Sequence, residues 1–422
     1  MGAGRSRQLT SIEICAGAGG QALGLHRAGF RHKALVEWDD DAVETLKANV
    51  RKWPGWKTKA DKLTSADVKE FADDPCDQFK VKKGEIDLLA GGVPCPPFSL
   101  AGRQLGKDDE RDLFPDMLEI VGKLEPRAVM IENVRGLLEP WHTFSSYRKM
   151  VLKELGRLGY VVADGGADLS QSWRILEARD FGVPQLRPRA ILVAIRADIL
   201  GNNKFIWPIG KEGDPVNVAD ALRATMLERC EAHGAKGIEV FKRWLKKAEK
   251  EAHAGRGVAP TLVGGSRKHG GADLGPTRAK RAWAALGINA MGVANDHDPE
   301  LKYCAPERDI FRETGPMLTV KQAAIIQGFP PGWEFKGRKT ARYRQVGNAF
   351  PPPVAEAVGR AIAAVLQPAR RDDYLQGLVM EEETEHQEIA GLFPEFELSG
   401  SRRVGAIPSS NDRCGDLIDA VG

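Results

Sequence analysis

The sequence predicts an α/β fold: a doubly wound, Rossmann-like domain with a smaller, mostly irregular or β second domain. Three observations carry this. Strand-like and helix-like segments alternate through the first half, the pattern of a parallel sheet with helices on both faces. Residues suited to chemistry stand just after apolar runs, at the carboxyl ends where open α/β sheets bind ligands. The alternation stops near Leu200, where Gly, Pro and short strand-like runs take over.

In order, residues 9–15 read as a strand and 21–28 as a helix entered through a Gly-rich turn. Strand 34–38 and helix 40–49 follow, then a third strand-like element before Asp67. Strand 85–90 precedes helix 113–124, strand 128–131 precedes helix 147–158, and 190–196 is the last strand. A charged, amphipathic helix is expected over 238–253. Apolar residues at Val354, Ala357, Val358, Ala361, Ile362 and Val365 recur at helical spacing, so 354–366 is a helix that packs back on the first domain. These readings set a catalytic domain at 8–200 completed by 335–367, a second domain at 201–334, and an acidic tail at 368–422 expected to be mobile.

The chain has 422 residues, 42% of them hydrophobic, enough for two domains. No apolar run approaches the roughly 18 residues that cross a bilayer. The basic start lacks the apolar segment of a signal peptide, so a cytoplasmic location is expected. Six scattered cysteines form no CxxC pair, which argues against a metal cage or a disulfide framework. The net charge of +3 hides an asymmetry. Residues 367–422 hold twelve acidic and five basic residues, a net −7, which leaves +10 on the rest. A basic body fits a polyanionic partner, although solvated surface lysines give the same count.

The Gly91-Gly92-Val93-Pro94-Cys95-Pro96-Pro97-Phe98-Ser99 loop follows the apolar run Ile86-Asp87-Leu88-Leu89-Ala90. Prolines stiffen it on both sides of Cys95. Cys95 is then a presented nucleophile or a small residue in a turn. Ala16-Gly17-Ala18-Gly19-Gly20 follows the first strand, where glycines admit a ligand to the backbone and a helix N-terminus offers free N–H groups. Glu37 ends the second strand, the usual place of a ribose hydroxyl acceptor. Trp38 either packs in the core or covers an adenine face. Asp67 is placed to accept from an adenine amino group. Together they point to an adenosine-type cofactor, and no Walker Lys-Ser/Thr pair suggests a triphosphate.

Glu132-Asn133-Val134 ends another apolar strand. A carboxylate desolvated beside Cys95 would have its pKa pushed up, as a proton donor near neutrality requires. Alternatively it caps a turn. Arg187 and Arg189, in Gln185-Leu186-Arg187-Pro188-Arg189, alternate on one extended face, suited to a phosphate or carbonyl oxygen, or to surface ion pairs. Gln345-Val346-Gly347-Asn348-Ala349 precedes three prolines, with Asn348 a hydrogen-bonding residue at a turn.

These motifs, with Gln327-Gly328-Phe329-Pro330, fall in an order and at spacings that resemble the DNA cytosine-C5 methyltransferase family over residues 9–366. The resemblance implies S-adenosylmethionine held by Ala16, Gly17, Gly19, Gly20, Glu37, Trp38, Asp67, Asn348 and Ala349. It implies Cys95 as nucleophile at C6 of a flipped cytosine and Glu132 at N3 and the amino group. Arg189 would contact O2, and Arg187 would support the catalytic set. No metal is required. Duplex DNA would be held by Ser99, Arg103, Gly264, Gly265, Arg267 and Lys268, with 201–334 the target-recognition domain. Two departures are Pro96, where many members have glutamine, and Cys15, where an aromatic residue is common. The family's usual setting implies a monomer that protects host DNA from a cognate restriction endonuclease.

Rival readings fare worse. An RNA cytosine-C5 methyltransferase would have a reduced recognition domain. A zinc deaminase needs HxE and PCxxC, but Phe98 stands where the second cysteine belongs. A non-catalytic DNA-binding module would have no use for both the thiol and the carboxylate.

Overall fold

The apolar runs become an eight-stranded sheet. The computed structural model describes residues 7–57, 62–94, 112–140, 143–162, 172–264, 273–296 and 305–382. The strands are β1 (Thr10–Ile14), β2 (Arg31–Glu37), β3 (Lys62–Ser65), β4 (Leu88–Gly91), β5 (Ala128–Val134), β6 (Tyr160–Val162), β7 (Trp173–Glu177) and β8 (Pro188–Arg196). Their order is β3-β2-β1-β4-β5-β8-β6, with β7 also paired to β8. The strands from β3 to β5 run parallel, while β8 is antiparallel to β5, β6 and β7. The chain builds outward from β1 to β3, then returns to lay β4 on the other side of β1. That reversal opens a crevice at the carboxyl ends of β1 and β4, where this sheet class binds ligands.

Helices α1 (Gly20–Arg27), α2 (Asp40–Val50), α3 (Val68–Asp73), α4 (Pro75–Phe79), α5 (Phe114–Leu124), α6 (Ser145–Arg157) and α7 (Ala197–Leu200) complete the first region. Asp39 caps α2 by accepting from Ala42 N–H, and Asp40 and Asp41 favour its positive end. Both faces of the sheet are covered, so β4 and β8 read as near-continuous apolar runs. One face packs with α1 and the late helix α14 described below. The other packs with α3, α5 and α6.

Beyond Leu200 come β9 (Pro208–Lys211), α8 (Val218–Glu231), α9 (Gly234–His253), α10 (Thr277–Ala285), α11 (Pro306–Asp309) and α12 (Val320–Ile326). In the described part of 201–334 the regular elements are helices apart from β9, which corrects the short strands expected there, while the remainder is irregular as expected. The cause is two apolar stripes at helical spacing. Val218, Leu222 and Met226 line α8, and Val240, Phe241, Trp244 and Ala248 line α9; they share one core. Gly and Pro punctuate the connections rather than the elements.

The chain ends its described part with α13 (Lys339–Asn348), α14 (Pro352–Leu366), α15 (Arg371–Leu375) and β10 (Leu378–Met380). The periodic helix does return to the first region, as expected. A Cβ on Gly24 would lie 2.5 Å from Ala355 Cβ, and one on Gly359 would lie 2.7 Å from Leu25 Cδ2, so α1 and α14 meet closely through bare backbone. The mobile tail expected from 368 is corrected over 368–381. Tyr374 is buried, its hydroxyl donating to Gln367 Oε1 at 2.7 Å, and β10 pairs antiparallel with β9. Residues through Glu381 belong to one compact unit. No described helix is long and apolar enough to cross a membrane.

Candidate active site

Strands β1 and β4 pair in register, Ile14 opposite Gly91, so both leave the sheet at the mouth of the crevice. After β1 the backbone turns sharply, with positive φ at Cys15, Gly17 and Gly19 (51°, 54° and 86°). The glycines have different reasons to be there. A Cβ on Gly20 would stand 2.2 Å from the Phe350 carbonyl oxygen, and one on Gly19 would strike Leu46 Cδ2 at 2.8 Å. At Gly17 that position meets nothing within 4 Å. The turn is packed from behind and open at Gly17, a cradle for a ligand.

Glu37 ends β2 beside this turn and fastens it. Its Oε2 accepts from Gly17 N–H at 2.7 Å, and its Oε1 from Trp38 and Asp39 N–H, each at 2.9 Å. Burial pushes its carboxyl up from the ordinary value, partly opposed by these bonds. Trp38 is 77% exposed, so the core-packing alternative for it falls away. Asp67 caps α3, accepting from Lys69 N–H at 3.0 Å, and stays exposed. Burial drives the Cys15 thiol far up, with the carboxylates of Glu37, Asp67 and Asp116 adding to the effect. Cys15 is thus an inert thiol in an acidic cleft. Such a cleft repels phosphates and accepts hydroxyls, amines and positive charge.

The second half of the site comes from β5 and β8. Their antiparallel register sets Val134 opposite Arg189, which makes Glu132 a diagonal neighbour of Arg189 on the same face. Arg189 Nε and Glu132 Oε1 are 2.8 Å apart, both side chains mostly buried. Burial raises the Glu132 carboxyl, with the Arg189 and Arg187 guanidiniums pulling the other way. A Cβ on Gly92 would lie 3.0 Å from Glu132 Oε2, so this carboxylate borders the start of the Pro94–Cys95 loop. Asn133 Nδ2 donates to the Val93 carbonyl at 2.9 Å and secures that loop root to β5.

Arg187, expected to support the catalytic set through loop and backbone contacts, binds backbone. It is 1% exposed and donates to the carbonyls of Leu262 (2.7 Å), Gly347 (2.6 Å) and Ala349 (3.0 Å). Three backbone partners make the guanidinium a clamp between distant segments, still near enough to Glu132 to act on its charge. Gln185 works beside it. Its Oε1 accepts from Leu262 N–H at 2.7 Å and its Nε2 donates to Gln327 Oε1 at 2.6 Å, while Gln327 Nε2 donates to the Ala349 carbonyl. Asn348 is the last residue of α13 rather than part of a free turn. A Cβ on Gly264 would lie 2.1 Å from Asn348 Oδ1, so a residue assigned to DNA touches one assigned to the cofactor.

The crevice thus gathers Ala16, Gly17, Gly19, Gly20, Glu37 and Ala349 around one turn, with Glu132 paired to Arg189. Cys95, Ser99, Arg103, Gly265, Arg267 and Lys268 lie outside the described residues. Sequence reasoning missed the roles of Gln185, Gln327 and Trp333, whose indole donates to the Ala18 carbonyl at 3.1 Å. Gln185 and Gln327 stood in quoted motifs, but only the fold reveals their partners.

Residues 9–364 match the family described as C-5 cytosine-specific DNA methylase. The chain is 48% identical over 365 residues to the Type II methyltransferase M.NaeI of Lentzea aerocolonigenes, covering 85% of this chain and 76% of that protein. It is 43% identical over 361 residues to the Type II methyltransferase M.NgoMIV of Neisseria gonorrhoeae, covering 85% and 99%. Among solved structures, the S. pombe Dnmt2 methyltransferase aligns with a TM-score of 0.50 at 17% identity, over 86% of this chain and 99% of that one, a likeness of fold.

Proposed function

The chain belongs to the C-5 cytosine-specific DNA methylase family, and on that footing we propose that it is the modification enzyme of a Type II restriction–modification pair, methylating one cytosine in a short duplex sequence. The observation that carries the residue roles is the buried Glu132–Arg189 pair bordering Gly92, at the root of the Cys95 loop. When bound, S-adenosylmethionine supplies an electrophilic methyl group. The open Gly17 position, the exposed Trp38 and the acidic cleft support it as the ligand there. Glu37 and Asp67 would take its hydroxyl and amino donors, and Asn348 would close the site.

The target base must leave the stack, at a cost of a few kcal/mol. Glu132, whose hold on a proton burial strengthens, would hold ring N3 and share its proton there. Arg189 would orient that carboxyl and meet O2. Cys95 would add as thiolate to C6, forming the C–S bond while the ring electrons move toward C5. After methylation, loss of the C5 proton would break the C–S bond, release the thiolate and restore aromaticity. An ordinary thiol is only a few per cent ionised near neutrality, with a pKa of about 8.5. A neighbouring guanidinium would raise that share.

The test is transfer of labelled methyl from S-adenosylmethionine to mixed-sequence duplex DNA and to transfer RNA, read at base resolution. Methyl on C5 of cytosine in one duplex motif is expected. Label on transfer RNA alone would overturn the substrate assignment.

A further inference from the structure

The long helix α9 carries more than the core it covers. Val240, Phe241, Trp244 and Ala248 face inward. Arg243, Lys246, Lys247 and Lys250 stand at i, i+3, i+4 and i+7, so they form one stripe on a different face, and all four are exposed. None of them makes an ion pair among the described residues. Two of the three carboxylates of the same helix are claimed from elsewhere, Glu249 by Arg223 at 2.9 Å and Glu251 by Arg256 at 2.8 Å, while Glu239 is exposed at i−4 from Arg243 without an ion pair among the described residues and leaves the stripe net positive. The stripe therefore keeps its charge, whereas the edge of α9 facing α8 has been neutralised.

The end of α10 adjoins the stripe. A Cβ on Gly287, just past α10, would lie 3.2 Å from Lys247 Cβ. Arg278 and Arg281 of α10 are exposed, and neither makes an ion pair among the described residues. Lys280 of the same helix is spent on Asp273 at 2.8 Å. Trp283 of α10 shares a core with Leu262 and Leu274, which flank the segment assigned to DNA recognition. Arg243 and Lys250 are seven residues apart, about 10 Å along the helix axis, the axial rise of about three phosphates on one strand.

We infer that the α9–α10 stripe is a phosphate-tracking surface for duplex DNA flanking the methylated site. This rests on the duplex being the substrate, and it adds a surface separate from the crevice. It would supply affinity and approach rather than sequence choice, since backbone contacts position a duplex without reading it.

The test compares wild type with the fourfold variant Arg243→Gln, Lys246→Gln, Lys247→Gln, Lys250→Gln. Binding to mixed-sequence duplexes of about one and about three helical turns is measured by anisotropy across a salt series. Wild type should gain affinity with length. The variant should lose that gain, and its log affinity should fall less steeply with log salt, by about 0.9 for each phosphate contact removed. Its kcat at saturating duplex should stay within about twofold, because phosphate contacts position the duplex and touch no reacting atom. Arg278→Gln with Arg281→Gln, on the other helix, should give a smaller change in the same direction. Wild-type affinity and slope in the fourfold variant would overturn the inference and leave the face to solvent or to an acidic protein. An equal loss at both lengths with the slope unchanged would also overturn it. Because binding is read apart from catalysis, a length-dependent loss without methyl transfer in either protein would support the surface and sink the substrate reading instead.

Discussion

Glu132 is pulled two ways. Burial holds its proton on, and two guanidiniums favour letting it go, with burial the larger effect. That balance suits a group that must share a proton with a ring nitrogen. Glu132→Gln keeps the shape and a donor but cannot shuttle the proton. Its kcat should fall by about 10² to 10⁴, the usual worth of a placed acid or base, while equilibrium binding of S-adenosylmethionine, measured by calorimetry, stays near wild type. Unchanged turnover would remove Glu132 from the mechanism. The position of this carboxylate was legible in the sequence because it ends an apolar strand. Its partner was not, since Arg189 reaches it only through the antiparallel register of β5 and β8, which no local pattern encodes. Arg187 shows the same limit: spacing placed it on a functional face, and three carbonyls from distant segments made it a clamp.

Between α1 and the turn before it runs a ladder of rings. His26 stacks on Trp53, centroids 4.2 Å apart and planes within 9°. Trp53 meets Trp333 at 6.1 Å, and Trp333 props the Ala18 carbonyl. Burial lowers the His26 pKa to about 4, with His32 and Arg27 adding to the effect. The unfolded chain takes up that proton near pH 6.5, whereas the folded chain refuses it until about 4. Stability from this source is therefore complete above about pH 6.5 and lost as the pH falls toward 4. His26→Phe keeps the stack and removes the titration, so its melting temperature should drop less than that of wild type between pH 7 and 5. Parallel curves for the two proteins would contradict this. Such ladders are illegible in sequence, because their rungs come from three separate segments. The longer strands and helices of the first half were legible because each covers one predictable face, whereas the short α3, α4, β6 and β7 escaped notice, as did α8 although its apolar stripe is regular.

At the scale of the whole molecule, α13, which carries the proposed cofactor residue Asn348, and the segment proposed for recognition are not independent. Gly347 carries no side chain because a Cβ there would stand 2.5 Å from Gly264 Cα and 2.6 Å from Gly264 N. Those are backbone atoms, which cannot swing aside. Gly347→Ala should push the recognition segment off α13, at a cost of about 1–3 kcal/mol in stability, typical of overpacking. Methylation should suffer more than folding: kcat/KM for duplex should fall by at least about tenfold, since 1.4 kcal/mol of lost positioning is a factor of ten. Chemical denaturation and steady-state kinetics on the same preparation would separate the two. Full activity would show that the contact is only packing. The break in alternation suggested a domain division, but both regions belong to one compact unit, and this junction could not be read because it is made where they touch.

The short ribbon of β9 and β10 sets an order of events. Strand β9 is made midway through synthesis, and β10 belongs to the last described stretch, where Arg174 also takes its ion pair with Glu381. Until that stretch leaves the ribosome, Pro208–Lys211 has an exposed edge with no strand to meet it. The sheet face that α14 covers and the turn that Phe350 and Ala349 pack from behind also wait for late segments of the chain. A chain cut before α14 would therefore leave that face of the sheet bare as well as the edge of β9.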